Sequence, residues 1–364
     1  MNDDEKALIW LDNYDFMSYR KKDKFLDLFE SPKDILNIEN LKNRKENILS
    51  IISSEEFEIL KRECTRKQVE TLLNKFERLN ISFTTSFSNN YPFMLRNIDT
   101  PPYVIYYKGN FDLINTSCFS VVGSRYITNY GKVVTEKFTK DLVKADFTIV
   151  SGLATGVDTV AHSVTLAENG KTIAVLAGGL DEIYPSTNTE LAKQIVDKDG
   201  LLISEIRPGR KTESFMFPIR NRIIAALSKG VLITEAREKS GAIHTKNYAL
   251  DYGKDVFAVP GSILNESSKG TNRMIVNGQA KAVIESEDIL DEYNISLQKK
   301  AKAVYNFSLE ESLIVNLLSQ GETSFQQLLE QSKLSVKTLN SLLTTLSIRG
   351  IIKKLAGNIY CLID

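Results

Sequence analysis

The first 108 residues contain no glycine, and 16 of the 19 glycines in this 364-residue chain fall between Gly109 and Gly278. Tight strand-to-helix turns and close backbone approach to a phosphate need glycine. Residues 1 to about 80 are thereby excluded from that architecture, and the central third is where a ligand-binding fold belongs. Cysteine is scarce: Cys64, Cys118 and Cys361 lie far apart. They form neither a disulfide framework nor a metal-ligand spacing, which fits a reducing cytosol. Charge of either sign is not in excess, with Lys+Arg and Asp+Glu both at 46. No global basic field draws the chain to nucleic acid or an anionic membrane, so any nucleic-acid site must be a local patch. No apolar run reaches the ~20 residues of a membrane helix. The start, Met1-Asn-Asp-Asp-Glu-Lys6, is polar and acidic, unlike a targeting peptide. A cytoplasmic protein without membrane insertion is expected.

What is present divides the chain into three. In residues 1–80, Phe25, Leu28 and Phe29, then Val69, Leu72, Leu73 and Phe76, recur at helical spacing. Tyr91-Pro92 and Pro101-Pro102 mark a turn-rich lead-in to an aromatic strand, Val104–Gly109. From 119 to about 290, short β-branched runs alternate with amphipathic stretches. The runs are Val121-Val122, Thr148–Val150, Thr172–Leu176, Leu201–Ile203, Val231–Thr234, Val256–Val259 and Ala282–Ile284. The alternation predicts an α/β, Rossmann-like, doubly wound and mostly parallel sheet. After a polar linker over 291–306, three leucine-rich helical patterns and a hairpin over 351–362 predict a winged helix.

In such a sheet, ligands bind beyond the carboxyl ends of the strands. The first exit is Gly123-Ser124-Arg125, where backbone N–H groups and a guanidinium can hold a phosphate. A dinucleotide fingerprint would need Gly-x-Gly-x-x-Gly here, and it is absent. The second is Ser151-Gly152-Leu-Ala-Thr155-Gly156-Val-Asp158, a further candidate cradle, with Asp158 and His162 placed as a hydrogen-bonded structural pair one turn apart. At the third, Leu176–Pro185, the adjacent Asp181 and Glu182 diverge and make a poor acid–base pair. The most informative stretch runs from Glu205 to Lys246 and holds nine Lys or Arg against four Glu. Arg210, Lys211, Arg220 and Arg222 sit there with Phe215, Phe217 and Asn221 among them, the pairing of cations and rings that holds a single strand. Ser240 and Gly241 lead into the next helix, which carries Lys246. No catalytic residues, metal ligands or cofactor are expected, because no nucleophile–base–orienter set accompanies these turns.

Together these segments resemble the DNA-processing protein A family (DprA, also called Smf). The resemblance is carried by Gly123-Ser-Arg125, Ser151–His162, Gly179-Leu-Asp-Glu-Ile-Tyr-Pro185, Ser204-Glu205, Phe217-Pro-Ile-Arg-Asn-Arg-Ile-Ile224, Ser240-Gly241, Phe257-Ala-Val-Pro-Gly261 and Gly270-Thr-Asn272. It implies a domain plan: a SAM- or helix-hairpin-helix-like domain over 1–80, an extended Rossmann-like DNA-binding domain over 81–295, and a winged helix over 305–364. It also implies a homodimer that binds and protects incoming single-stranded DNA and helps load the RecA recombinase in natural transformation and recombination, without catalysis. Gly-Ser-Arg and the Phe-Pro-x-Arg-Asn-Arg region would line the DNA pocket. Thr155 and Ser186 stand where relatives often carry a cation, and Lys246 is the residue expected to restore charge. Two other classes fit the residues less well. A nucleotide hydrolase would use Asp181, Glu182 or Glu205, and a dinucleotide-sensing winged-helix regulator would need the missing fingerprint.

Overall fold

Cys118 and Val122 alternate with Phe119 and Val121 along one short strand, and the two pairs enter different cores on opposite faces of a sheet. The computed structural model that shows this describes residues 1–296, 307–319, 321–355 and 357–362. Its strands are β1 (Ser82–Thr85), β2 (Val104–Gly109), β3 (Cys118–Val122), β4 (Thr148–Ser151), β5 (Thr172–Val175), β6 (Leu201–Ser204), β7 (Gly230–Ile233), β8 (Asp255–Ala258) and β9 (Lys281–Ala282). They form one sheet in the order β1-β2-β6-β5-β4-β3-β7-β8-β9. From β6 to β9 every neighbour pair is parallel, whereas β2 meets both β1 and β6 antiparallel. The α/β, mostly parallel architecture expected from the alternating pattern is what the chain adopts.

Both faces are covered. Helices Asn129–Lys144 and Val157–Ala167 close one side through Phe138, Leu142, Val157 and Ala161. Helices Met216–Leu227 and Ala242–Asp251 close the other through Ile223, Ala226, Ala242 and Ala249. Such continuous apolar strands need cover on both faces. The glycine-free amino-terminal segment is helical, from Asp3–Asp12 to Arg66–Arg78. It has its own core around Trp10, Phe25 and Phe57. Its Leu8, Ile9, Leu72 and Phe76 also pack on Tyr106, Ala174 and Leu202 of β2, β5 and β6, so this segment shares a core with the sheet's antiparallel edge.

The chain divides into two compact units, Met1–Leu297 and Gln298–Asp364. Within the second, helices Leu309–Leu318, Phe325–Ser332 and Val336–Ile348 enclose Ile314, Leu328, Leu339, Leu343 and Leu346. Strands β10 (Thr323–Ser324), β11 (Ile352–Leu355) and β12 (Ile359–Leu362) make a small antiparallel sheet in the order β10-β12-β11. The sequence predicts the hairpin but not β10, which is too short to show alternation. The expected linker lies outside the described residues from position 297 to 306. Among the described residues, no helix is long and apolar enough to cross a membrane.

Candidate nucleic-acid interface

Strand order reverses between β3 and β7, and the crevice at their carboxyl ends is where an open α/β sheet takes its ligand. Gly123 leaves β3 at this point. A Cβ there would sit 2.6 Å from Val157 Cγ2 and 2.7 Å from the Glu235 carbonyl oxygen, so only glycine fits. The tight approach lets Ser124 N–H donate to the Glu235 carbonyl at 2.7 Å, which pins the turn that presents Arg125. Glu235 itself is buried and spends its carboxylate on Thr128, accepting from the backbone N–H at 2.9 Å and from the hydroxyl at 2.6 Å.

A cavity of about 690 Å³ opens beyond this turn. Its cations are Arg125, Arg220, Arg237 and Lys239, and its single carboxylate is Asp158. The Arg125 guanidinium lies 4.8 Å over the Phe217 ring, which Tyr184 meets edge-on at 5.5 Å. Arg125 is exposed, and it makes no ion pair among the described residues. Glu205, the carboxylate nearest in kind to a structural partner for it, is taken by Arg222 instead. Exposed Tyr126 and Tyr184 add two aromatic faces to the rim.

The floor is built from buried charge. Arg220 is 4% exposed and its Nη1 donates to the Gly152 carbonyl at 2.8 Å and to the Val175 carbonyl. Burial pulls its guanidinium down to about 10, with Asp158 opposing the shift, so it stays charged at neutral pH. Asp158 accepts from the amides of Gly152 at 3.1 Å and Ala154 at 3.3 Å. Burial raises its carboxyl, and Arg220 and those amides hold the rise back. The expected Asp158–His162 bond is not made. His162 Nδ1 pairs with the Thr172 hydroxyl at 2.7 Å, its Nε2 is buried without a partner, and burial depresses the ring to about 3.

Helix Met216–Leu227 sorts the sequence-predicted residues between two places. Phe217, Arg220, Asn221 and Ile224 follow i, i+3, i+4, i+7 spacing and face the cavity at the switch point. Phe215, Ile219 and Arg222 follow i, i+4, i+7 and face a separate cavity, together with Arg210. Arg222 is 3% exposed and bonds Glu205 through both terminal nitrogens and Thr100 through Nε, a framework role. Arg210 pairs with Asp15 at 3.2 Å, and Lys211 is exposed and lines neither cavity. Gly123, Ser124, Arg125, Phe217, Arg220, Asn221, Ser240 and Gly241 do converge on the first.

The second glycine turn is a lock rather than an open cradle. The Ser151 hydroxyl donates to the Val121 carbonyl at 2.7 Å, and Gly152 is engaged through both its amide and its carbonyl. Gly156 has φ +81° and its missing Cβ leaves room for the Ser124 carbonyl. Thr155 donates to the Arg125 carbonyl at 3.3 Å, bracing the first turn. Lys246, expected to add charge, is buried and bonds Gln279 at 3.1 Å, because Thr245 and His244 hold the cavity side of its helix. Asp181 and Glu182 are exposed outside the cavity, whose lining holds no second carboxylate beside Asp158. The sequence does not single out Tyr126, Tyr184, Arg237, Lys239 or His244 as contact residues, although Arg237 and Lys239 belong to the basic stretch and Tyr184 to the third strand exit. Tyr126 and Arg237 were findable as residues directly following strand exits, whereas Tyr184 is brought in only by the β5 loop.

The family model of DNA recombination-mediator protein A matches residues 82–294, the stretch that builds both the sheet and this cavity. The chain is 42% identical over 206 residues to the DNA processing protein DprA of Bacillus subtilis (strain 168), covering 56% of this chain and 69% of that one. Its fold is similar to the X-ray structure of DprA from Streptococcus pneumoniae, with a TM-score of 0.67 and 33% identity over 80% of this chain and 98% of that one. It is also similar to DprA from Helicobacter pylori, whose structure concerns that protein's single-stranded DNA binding mode, with a TM-score of 0.54 and 31% identity over 59% of this chain and 97% of that one. With the glycine turn, the arginine-bearing helix and the sheet order all lying inside the matched stretch, the chain belongs to the DNA recombination-mediator protein A family, DprA/Smf.

Proposed function

We propose that this protein binds single-stranded DNA in the cavity at the β3/β7 switch point, without catalysis. In this reading it protects incoming strands and helps load the RecA recombinase in natural transformation and recombination, as a cytoplasmic homodimer. The observation that carries the binding is Arg125: a guanidinium with no carboxylate partner among the described residues, stacked on Phe217, in a cavity with four cations and one carboxylate already engaged by two amides. Phosphates would lie on Arg125, Arg237 and Lys239, and bases on Phe217, Tyr184 and Tyr126. Stacking accepts any base, and no groove-reading array of Asn, Gln and Arg lines this cavity, so sequence preference is weak. The RecA and dimer roles rest on family resemblance. Met274, Ile275 and Val276 are weak candidates for the dimer surface; of these Val276 is exposed and Met274 is core. The division into an amino-terminal helical domain over 1–80, a Rossmann-like domain over 81–295 and a winged helix over 305–364 belongs to the same proposal.

The test is a titration with oligo-dT and matched duplex across a salt series. Tighter binding of oligo-dT with a falling log–log salt dependence is expected. Equal affinity for blunt duplex, or a sharp preference for one short sequence, would overturn the reading.

A further inference from the structure

The opposite side of helix Met216–Leu227 borders a second cavity, of about 540 Å³, between the amino-terminal helices and the sheet edge. Two guanidiniums share a single carboxylate in it. Asp15 accepts from Arg207 Nη2 at 3.0 Å and from Arg210 Nε at 3.2 Å, so the trio carries one uncompensated positive charge. The Arg207 Nε atom is buried with no hydrogen-bond partner. The loop that carries both arginines is held in place, since Lys75 donates to the Pro208 carbonyl at 3.2 Å. Asp15 is different: its side chain is 55% exposed, the most exposed member of the trio. A guanidinium pair covered by one exposed carboxylate has the donor set of a phosphate site with a displaceable occupant.

Carboxylates and phosphates both suit a guanidinium fork, and the wall of the cavity separates them. Tyr19 and Tyr103 stack with ring centroids 5.3 Å apart and planes 28° apart, and Phe215 stands half exposed on the facing helix end. An aromatic wall beside a phosphate site has the composition of a nucleotide site. We propose that this cavity binds a nucleotide, its phosphate on Arg207 and Arg210 in place of Asp15 and its base against the Tyr19, Tyr103 and Phe215 rings. The nucleotide is either one unit of a strand continuing past the first cavity or a free nucleotide. The site extends the single-strand reading but stands without it, because it shares no side chain with the first cavity.

The test uses the full chain and the variants Asp15→Asn, Arg207→Ala and Tyr19→Ala. Free dTMP and inorganic phosphate are titrated calorimetrically, and short and long oligo-dT by anisotropy. Asp15→Asn removes the competing charge, so dTMP should bind about fivefold tighter, the scale of one unit charge at contact distance in high dielectric. Arg207→Ala should weaken dTMP, and Tyr19→Ala should weaken dTMP while leaving phosphate unchanged. If Asp15 were only a pin for the amino-terminal helices, Asp15→Asn would lower the melting temperature and leave dTMP binding as it was, which overturns the proposal. Phosphate binding as tightly as dTMP, with Tyr19→Ala silent, also overturns it. A gain on long oligo-dT but not short assigns the nucleotide to the strand, and a gain on dTMP alone assigns it to the free nucleotide. Wild-type chain that binds dTMP in this pattern but no oligo-dT keeps this site and removes the single-strand reading. Intact oligo-dT binding with dTMP indifferent to all three variants does the reverse.

Discussion

Arg125→Ala separates a binding role from a structural one. The guanidinium is exposed, has no carboxylate partner among the described residues and touches the fold through the Phe217 ring at 4.8 Å. An exposed cation–π contact is worth ~0.5–1 kcal/mol, so truncation should cost stability no more than about that. Against a phosphate, the same side chain makes a charge-assisted bond worth ~1.5–3 kcal/mol, about a tenfold to hundredfold loss in affinity for oligo-dT. One fewer phosphate contact also removes about 0.7 from the slope of log affinity against log salt on a single strand. Arg125→Lys keeps the charge but loses the planar fork and most of the stacking, so it should fall between wild type and alanine. Melting temperature and the salt series are measured on the same preparations. An unchanged slope in Arg125→Ala would take Arg125 out of the binding site. A large fall in melting temperature would show a structural partner that this geometry does not contain.

Arg220→Met should be damaging for another reason. It leaves the Gly152 and Val175 carbonyls without their donor and Asp158 buried without its nearby cation, a loss of ~3–5 kcal/mol in denaturant unfolding. A loss below ~1 kcal/mol would contradict the buried floor, whatever happens to DNA affinity. His162 should give the protein an acid-side stability slope. Its folded value of about 3 lies below the ordinary 6.5, so the unfolded chain binds the extra proton, and the stabilisation is complete above 6.5 and lost as pH falls toward 3. From pH ~7 to ~5 the wild type should lose about 2 kcal/mol from this group, and His162→Phe should not show that component. Identical pH dependence in the two proteins would mean that His162 is protonated in the fold.

Much of the architecture was legible because it depends on short-range pattern. Short, near-continuous β-branched runs specified β3 to β8, since a strand buried on both faces must be apolar throughout. The glycine census separated the helical segment from the sheet. Gly123 and Gly156 mark tight turns by chemistry that no other residue supplies. The lead-in was harder. Val104–Gly109 reads as a strand, but only pairing shows that β2 runs antiparallel to β6 and carries the amino-terminal helices onto the sheet edge.

The sequence by itself determined which residue types crowd into the stretch from Glu205 to Lys246, and that glycine turns and cations gather at the strand exits. It had no means to say which cations are free. Arg125, Arg220 and Arg222 are the same residue in neighbouring motifs, yet one lies exposed on a ring, one is the floor of a cavity and one is spent on Glu205. That difference is set by where each side chain leaves its helix or turn relative to carboxylates and carbonyls distant in sequence. Asp15 joins Arg207 and Arg210 across almost two hundred positions, and no local pattern encodes that contact. Periodicity assigns a residue to a face. Only packing of the faces decides whether its charge is neutralised by the fold or left for a ligand.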